Sequence, residues 1–356
     1  MMTGSRADMA VTTLDLDDPT MAAAADAFVA AQPGGTPFHR PAWMRAVARA
    51  TSNKAHMLAA VAPSGQIVGL LPLHHIRSRL FGQALVSSGF AVDGGLLTSD
   101  PVAGAALGGA AQRLAAELGG LPVELRGGMS PGDGWTSSSD THLGFVRPLA
   151  ADDEAELLAV PRKHRAELRK ALANGDLRVE HGRDPRHLGD HYRIYAESVR
   201  NLGTPVFPAA LFREVMGAFG EDADITLIHE GDRPVSAVLS LYHGGHVMPF
   251  WGGGVQDARW LRSNELMYYR LMGHARARGM THFDFGRSKA GSGQAAWKKS
   301  FGFNPSPLSY HRWGGAGAER DINPNNPKYQ RRIDLWKRLP LPVANLIGPH
   351  IARGLG

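Results

Sequence analysis

The stretch LAAVAPSGQIVGLLPLHH at 58–75 resembles LIHEGDRPVSAVLSLYH at 227–243. Each reads as strand, polar turn with a glycine, strand, because apolar and β-branched residues flank a short turn rich in Pro, Asp or Gly. The surroundings repeat as well. After the first copy, Ala84–Ser88 reads as a strand, Pro101–Leu118 as a helix and Pro122–Leu125 as a strand. After the second, His246–Trp251 leads into Gly252–Gly254, Ser263 caps a helix running to about Arg278, Gly279 stops it, and Thr281–Phe285 is again a strand. Two hairpins can match by chance, but two copies of one α/β unit, joined near 150–175, are more economical than two unrelated domains. A chain of 356 residues has room for both. The expectation is an α/β (α+β) protein with mixed central sheets flanked by helices: one domain at 1–150, a second at 151–312 carrying the site, and a basic tail at 313–356.

Composition removes several classes. With 43% apolar and 20% charged residues the chain can bury a core. No run approaches the roughly 18 uncharged apolar residues of a membrane span. The start, MMTGSRADMAVTTLDLDDP, lacks an apolar signal core, which predicts a cytoplasmic protein. Zero cysteines exclude disulfides, thiolate metal sites and a cysteine acyl-enzyme. The net charge of +6 is unevenly spread. Residues 1–258 hold 22 Lys+Arg against 28 Asp+Glu, whereas 259–356 hold 17 against 5. A basic surface kept for solubility meets this arithmetic. So does a local field for an anionic partner: nucleic acid, a phosphorylated cofactor, an acidic carrier protein or anionic lipid.

Some motifs carry nothing. Gly128-Met129-Ser130-Pro131-Gly132 spells a nucleophile elbow, but loop follows where the elbow requires a helix. Gly252–Gly254 and Gly291–Gly293 are not dinucleotide fingerprints, and no phosphate-loop pattern occurs. His187 and His191, four apart, read as a solvated pair rather than metal ligands, since no third ligand is near. Of His74 and His75, adjacent on a strand, only one can face any site. No metal is expected.

The densest constellation is THFDFGRSKAGSGQAAWKKSFGF at 281–303. A strand ending at Asp284, a turn at Gly286, Arg287 and Lys289 in a glycine-rich loop, and a short helix Gln294–Ser300 bearing Lys298 and Lys299 can wrap an anion. A plain surface ion pair of Asp284 with Arg287 or Lys298 explains the same residues with little energy.

This segment, with its strand, DFG-like turn and Trp297-Lys298-Lys299-Ser300-Phe301-Gly302, resembles the Fem-type branch of the GCN5-related N-acyltransferase (GNAT) superfamily. So do Pro161-Arg162-Lys163-His164-Arg165 and Arg169-Lys170-Ala171. SRLFGQALVSSGF (78–90), NLGTPVFP (201–208), RSKAGSG (287–293), NPNNPKY (323–329) and WKRLPLPVANLIGP (336–349) look like the FemAB-related subgroup found beside exosortase/PEP-CTERM loci, which make extracellular polysaccharide. The resemblance implies tandem acyltransferase folds. It also implies an N-acyltransferase of the cell envelope or exopolysaccharide that moves an aminoacyl or other acyl group to a phosphate-bearing amine acceptor.

No tightly bound cofactor is implied. The donor is an acyl thioester, on CoA or acyl carrier protein, or a charged tRNA. The family's functional lysine falls on Lys298, and Arg162, Lys163, Arg165 and Arg169 hold phosphates. Two departures stand out: Asp257–Arg262 replaces the pyrophosphate loop of acetyl-CoA enzymes, and the long coiled-coil arm of some Fem proteins is missing.

Acyl transfer needs a deprotonated amine and a polarised carbonyl, both oriented. The fold implied meets the carbonyl with a splayed strand, placed at Val247–Gly253, where Tyr242 and Trp251 line the cleft or are simply core. The helix start with Asn264, reinforced by Arg259 and Arg262, offers N–H groups to a phosphate. Asp284 is a base or orients the amine, and a water relay or the substrate itself serves as well, because nearby cations lower its pKa. The rival reading is an inactive acyltransferase-fold module that binds acyl carrier protein or tRNA. In the tail, Asn323–Pro327 reads as irregular and Tyr329–Arg338 as a helix interrupted by Pro340 and Pro342. Trp336–Leu339 and the apolar residues after it pack on the domains or rest on the inner membrane face.

Overall fold

Both copies of the repeated strand–turn–strand fold as antiparallel hairpins. The computed structural model describes residues 9–314 and 327–356, the side chains of 327–329 excepted. Two units emerge, 1–139 with 308–322 and 353–356, and 140–307 with 323–352.

The first unit contains β1 (Ala10–Leu14), α1 (Pro19–Ala31), α2 (Pro41–Thr51), β2 (Lys54–Val61), β3 (Ile67–Ser78), β4 (Gly82–Ser87), α3 (Pro101–Glu117), β5 (Val123–Arg126) and β6 (Thr136–Ser138). Asp18 and Asp100 cap α1 and α3 through first-turn N–H groups, each followed by proline at the first helical position. The second unit contains β7 (His142–Pro148), α4 (Asp153–Ala159), α5 (Arg162–Leu172), β8 (Leu177–Gly182), α6 (Pro185–Leu202), α7 (Ala209–Phe219), β9 (Ala223–Glu230), β10 (Arg233–His243) and β11 (His246–Gly254). It continues with α8 (Ala258–Leu261), α9 (Ser263–Ala277), β12 (His282–Lys289), α10 (Gly293–Ser300) and β13 (Pro305–Pro307). After β14 (Tyr310–Trp313), α11 (Pro327–Arg338) and α12 (Leu341–Ala352) end the described chain.

The strand orders are β1-β2-β3-β4-β5-β14-β6 and β8-β9-β10-β11-β12-β7-β13. Each sheet is antiparallel except for one parallel pair, β4–β5 in the first and β11–β12 in the second. The repeat is thus real at the level of the sheet. In the first, the sixth place is taken by β14, which follows the main stretch of the second unit in the chain and joins β5 and β6; in the second it is taken by β7, the first strand of that unit, which joins β12 and β13. In the second unit, Leu266, Met267, Leu271 and Met272 of α9 form a core with Val235, Val238, Val247 and Phe283 of the sheet.

Several expectations are corrected. The helix expected over Leu157–Leu172 is two, because Val160 before Pro161 is held extended (ψ 130°). β11 reaches Gly254, one residue beyond the strand placed at Val247–Gly253; a Cβ on Gly253 would lie 2.3 Å from Ser198 Oγ of α6, so only glycine admits that packing. In the tail, Pro340 separates two helices, but Pro342 sits in the first turn of α12, where its missing N–H is harmless. The irregular stretch expected at Asn323–Pro327 lies outside the described residues up to Asn326. The histidines expected to be solvated are buried: α6 turns His187 (4% exposed) beside Glu180 and His191 (0%) against the sheet.

Candidate active site in the second unit

β11 and β12 pair at two registers only, His246–His282 and Val247–Phe283. Beyond them β11 follows β10 to Gly254 and β12 follows β7 to Lys289, so the two strands part into a wedge. Each strand carries a bulge. Phe250 is passed over where β11 meets β10, and Phe285–Gly286 are passed over between the Asp284–Val146 and Arg287–Gly144 registers. The strand therefore does not end at Asp284, and Arg287 and Lys289 are not in a loop. The turn that Gly286 allows (φ +64°) is a bulge inside β12, paired to β7 on both sides.

Two side chains hold this bulge, one through its N–H and one through its carbonyls. Asp284 Oδ1 accepts the Gly286 N–H at 2.7 Å. Lys298 of α10 donates through Nζ to the carbonyls of Phe285 (2.7 Å) and Arg287 (3.0 Å), with Gly286 O at 3.4 Å. The ring of Phe145 lies 5.3 Å from the same ammonium. Burial pushes the Lys298 pKa down to about 8; the Asp284 charge opposes this and Arg287 adds to it. α10 is set in place by Ser292, whose Oγ accepts from Ala295 N at 3.2 Å.

The head of α9 differs from expectation. Ser263 does not cap the helix; it lies inside the first turn, buried, with its Oγ 2.7 Å from Ser236 Oγ of β10. Asn264 Oδ1 accepts from the same Ser236 at 2.9 Å. No side chain caps the first-turn N–H groups, and Glu265 stands among them. Arg262, left-handed at φ +56°, ion-pairs through Nε with Glu167 of α5. Lys170 and Arg262 hold Glu167 well below the ordinary carboxylate range, at about 2.

The remaining candidates fall into place around these. Arg162, Lys163 and Arg169 are exposed along α5, while Arg165 donates from Nε to Val160 O at 3.1 Å. Arg259 is exposed on α8 and Lys299 on α10; Arg287 and Lys289 are half-buried on β12. Asp284, Arg287 and Lys298 thus meet at one bulge, and Arg262 is tied to the basic helix. Tyr242 and Trp251 do not join them, because both are core. Tyr242 donates to the buried Asp224 carboxylate, which also takes His274 and Arg278. Trp251 packs 4.8 Å from Phe212, and its carbonyl accepts from His191 Nε2 at 2.7 Å.

A set of rings escaped the sequence reading. Tyr268 of α9, Phe285 of β12 and Trp297 of α10 pack at 4.9–5.5 Å from one another. His164 of α5 stands 5.1 Å from Phe301. The signal was present in the Pro161–Arg165 and Trp297–Gly302 blocks, but not that they touch. Among the described residues no group of three His, Asp or Glu side chains is arranged to hold a metal ion.

Residues 160–299 match the family model described as an acetyltransferase (GNAT) domain. None of the curated proteins matches the chain. Among solved structures, FemX is similar at a TM-score of 0.67 and 17% identity, over 91% of this chain and 99% of that one. A tandem GNAT protein from the clavulanic acid biosynthesis pathway is similar at 0.55 and 12%, over 86% and 98%. L-PGS from Bacillus licheniformis is similar at 0.55 and 12%, over 96% and 99%. What is shared at such identities is the fold. The chain has a tandem acyltransferase fold of the GNAT type, and the stretch that matches the acetyltransferase model takes in the basic helix, the wedge and Lys298.

Proposed function

We propose that the second unit transfers an acyl group, aminoacyl or other, directly to an amine acceptor in cell-envelope or exopolysaccharide biosynthesis. The observation that carries this reading is the wedge between β11 and β12, with a half-buried ammonium at its bulged side. Strand edges that part leave backbone groups of β11 unpaired with β12, ready to meet an acyl carbonyl. The amine lone pair attacks that carbonyl, a C–N bond forms, and the bond to the thioester sulfur or ribose oxygen breaks. Lys298 supplies a fixed positive charge where the oxyanion develops. The amine proton leaves to Asp284, which already accepts one N–H, or through water to the leaving group.

The phosphates of donor and acceptor are met by Arg162, Lys163, Arg165, Arg169, Arg259, Arg262, Asn264, Arg287, Lys289 and Lys299. α8, in place of a glycine-rich phosphate loop, favours a donor whose phosphates are gripped by these side chains. Acyl-CoA, acyl carrier protein and charged tRNA are the donors to screen. The envelope or exopolysaccharide assignment rests on the sequence resemblance.

The test compares Lys298→Met with Lys298→Arg. Met should lower the transfer rate about 10²–10³-fold with little change in acceptor KM. Because Lys298 loses its proton near pH 8, wild-type transfer should fall as pH rises through that value, and Arg should move the fall upward. Transfer that survives in Lys298→Met with binding unchanged would remove the lysine from the chemistry. The commitment of the Lys298 N–H groups to backbone carbonyls favours one second reading, a module that binds acyl carrier protein or tRNA without turnover. Binding without transfer by any donor, with an RNA affinity that falls steeply with salt, is its signature.

A further inference from the structure

We propose that the C-terminal helices α11 and α12 form a docking surface for an anionic lipid bilayer, lying on it rather than crossing it. The argument starts from α12. Its sequence LPVANLIGPHIA contains no Asp, Glu, Lys or Arg. The inward face is made of small residues: Ala344, Gly348 and Ala352 are buried, and a Cβ on Gly348 would stand 3.1 Å from Val206 N. At about 100° per residue, Val343, Leu346 and Ile347 fall within one outward arc. They are 42%, 71% and 39% exposed. A helix packed by its small residues and apolar on its outer side has a face still to cover.

α11 supplies the charge. PKYQRRIDLWKR has five Lys and Arg against the single Asp334. Ile333 and Trp336 are half-buried, and Arg200 donates to Lys337 O at 3.2 Å, which fixes the inward side against α6. By spacing, Arg331, Leu335 and Arg338 share the opposite side with Arg332, and all four are exposed. Four of the eleven exposed large hydrophobics among the described residues lie between Leu335 and Ile347, so the concentration is local.

Charge complementarity names the occupant: an exposed apolar stripe on α12, preceded in the chain by the exposed arginines of α11, fits acyl chains under anionic headgroups. None of the described helices is long and apolar enough to cross a membrane. At 1.5 Å per residue α12 spans roughly 18 Å, against a hydrocarbon core of about 30 Å, which leaves the interfacial mode.

The test is flotation of the full chain with phosphatidylglycerol–phosphatidylcholine vesicles and with pure phosphatidylcholine vesicles. Binding should require the anionic lipid and weaken with salt. The pair Leu346→Asp/Ile347→Asp, and separately Arg331→Glu/Arg338→Glu, should each lower partitioning about tenfold or more, with melting unchanged. Transfer to a soluble acceptor should be unaffected by either pair, so failure here is distinguishable from failure of the proposed reaction. Wild type that ignores anionic vesicles, or an Asp pair that binds like wild type, overturns the proposal. A dimer in light scattering that the Asp pair splits, with vesicles ignored, would assign the stripe to a second copy of the chain instead.

Discussion

Gly286 occupies the left-handed region at φ +64°, where a side chain costs about 1–2 kcal/mol. Gly286→Ala should destabilise the second unit by that amount in denaturant unfolding. It should also lower transfer further than the stability loss explains, because the Phe285 and Arg287 carbonyls that hold Lys298 flank the strained residue. Equal effects on folding and rate would mean that the bulge is scaffolding only. Asp284, Gly286 and Lys298 were legible as a group in the sequence; the relation among them was not. A bulge leaves a faint mark, a slip in alternation: Phe283 and Phe285 are buried two apart, and the next buried residue, Ser288, comes three later. A turn after Asp284 would have produced the same letters.

Among the elements, α4 is the one that a continuous helix reading hides. Pro161 breaks it from α5, and the break lets Glu156 be buried (0% exposed). There it ion-pairs with Arg147 of β7 and accepts the Ala150 N–H at 2.9 Å. Within the acidic run Asp152–Glu156, one glutamate looks like its neighbours, so nothing local marks it as interior. Glu156→Ala strands the Arg147 guanidinium, whose side chain is 14% exposed, and should cost about 3–5 kcal/mol. Glu156→Gln keeps an acceptor for Ala150 and should cost less. Denaturant titration of both variants orders them; equal costs would show that the charge does not matter.

For the molecule as a whole, pH is the informative variable. His56, His74, His181 and His191 are each lowered to about 4, chiefly by burial. Between about 4 and 6.5 the unfolded chain takes up protons that the folded chain refuses, so stability falls as pH falls through that window. Lys170 beside Glu167 and the His187 N–H at Asp184 lower both carboxylates to about 2, which extends the loss to lower pH. Thermal scans stepped from pH 7 to 4.5 should show a steadily falling transition; a flat one would mean that these histidines accept protons in place. The doubled architecture was readable from one repeated hairpin. The return of β14 to the first sheet was not, because β6 and β14 have three and four residues, too few for a period.

That return bears on how the chain is made. Ser137 and His311, side chains in hydrogen-bond contact in the first sheet, are 174 positions apart. Until β14 has left the ribosome, β5 presents an open edge, and open edges invite wrong pairing. No single cut yields two self-sufficient pieces: a fragment ending at the joint lacks β14, and its complement lacks β7 or carries β14 unpaired. The two sheets repeat one plan, yet the chain offers no place to part them cleanly.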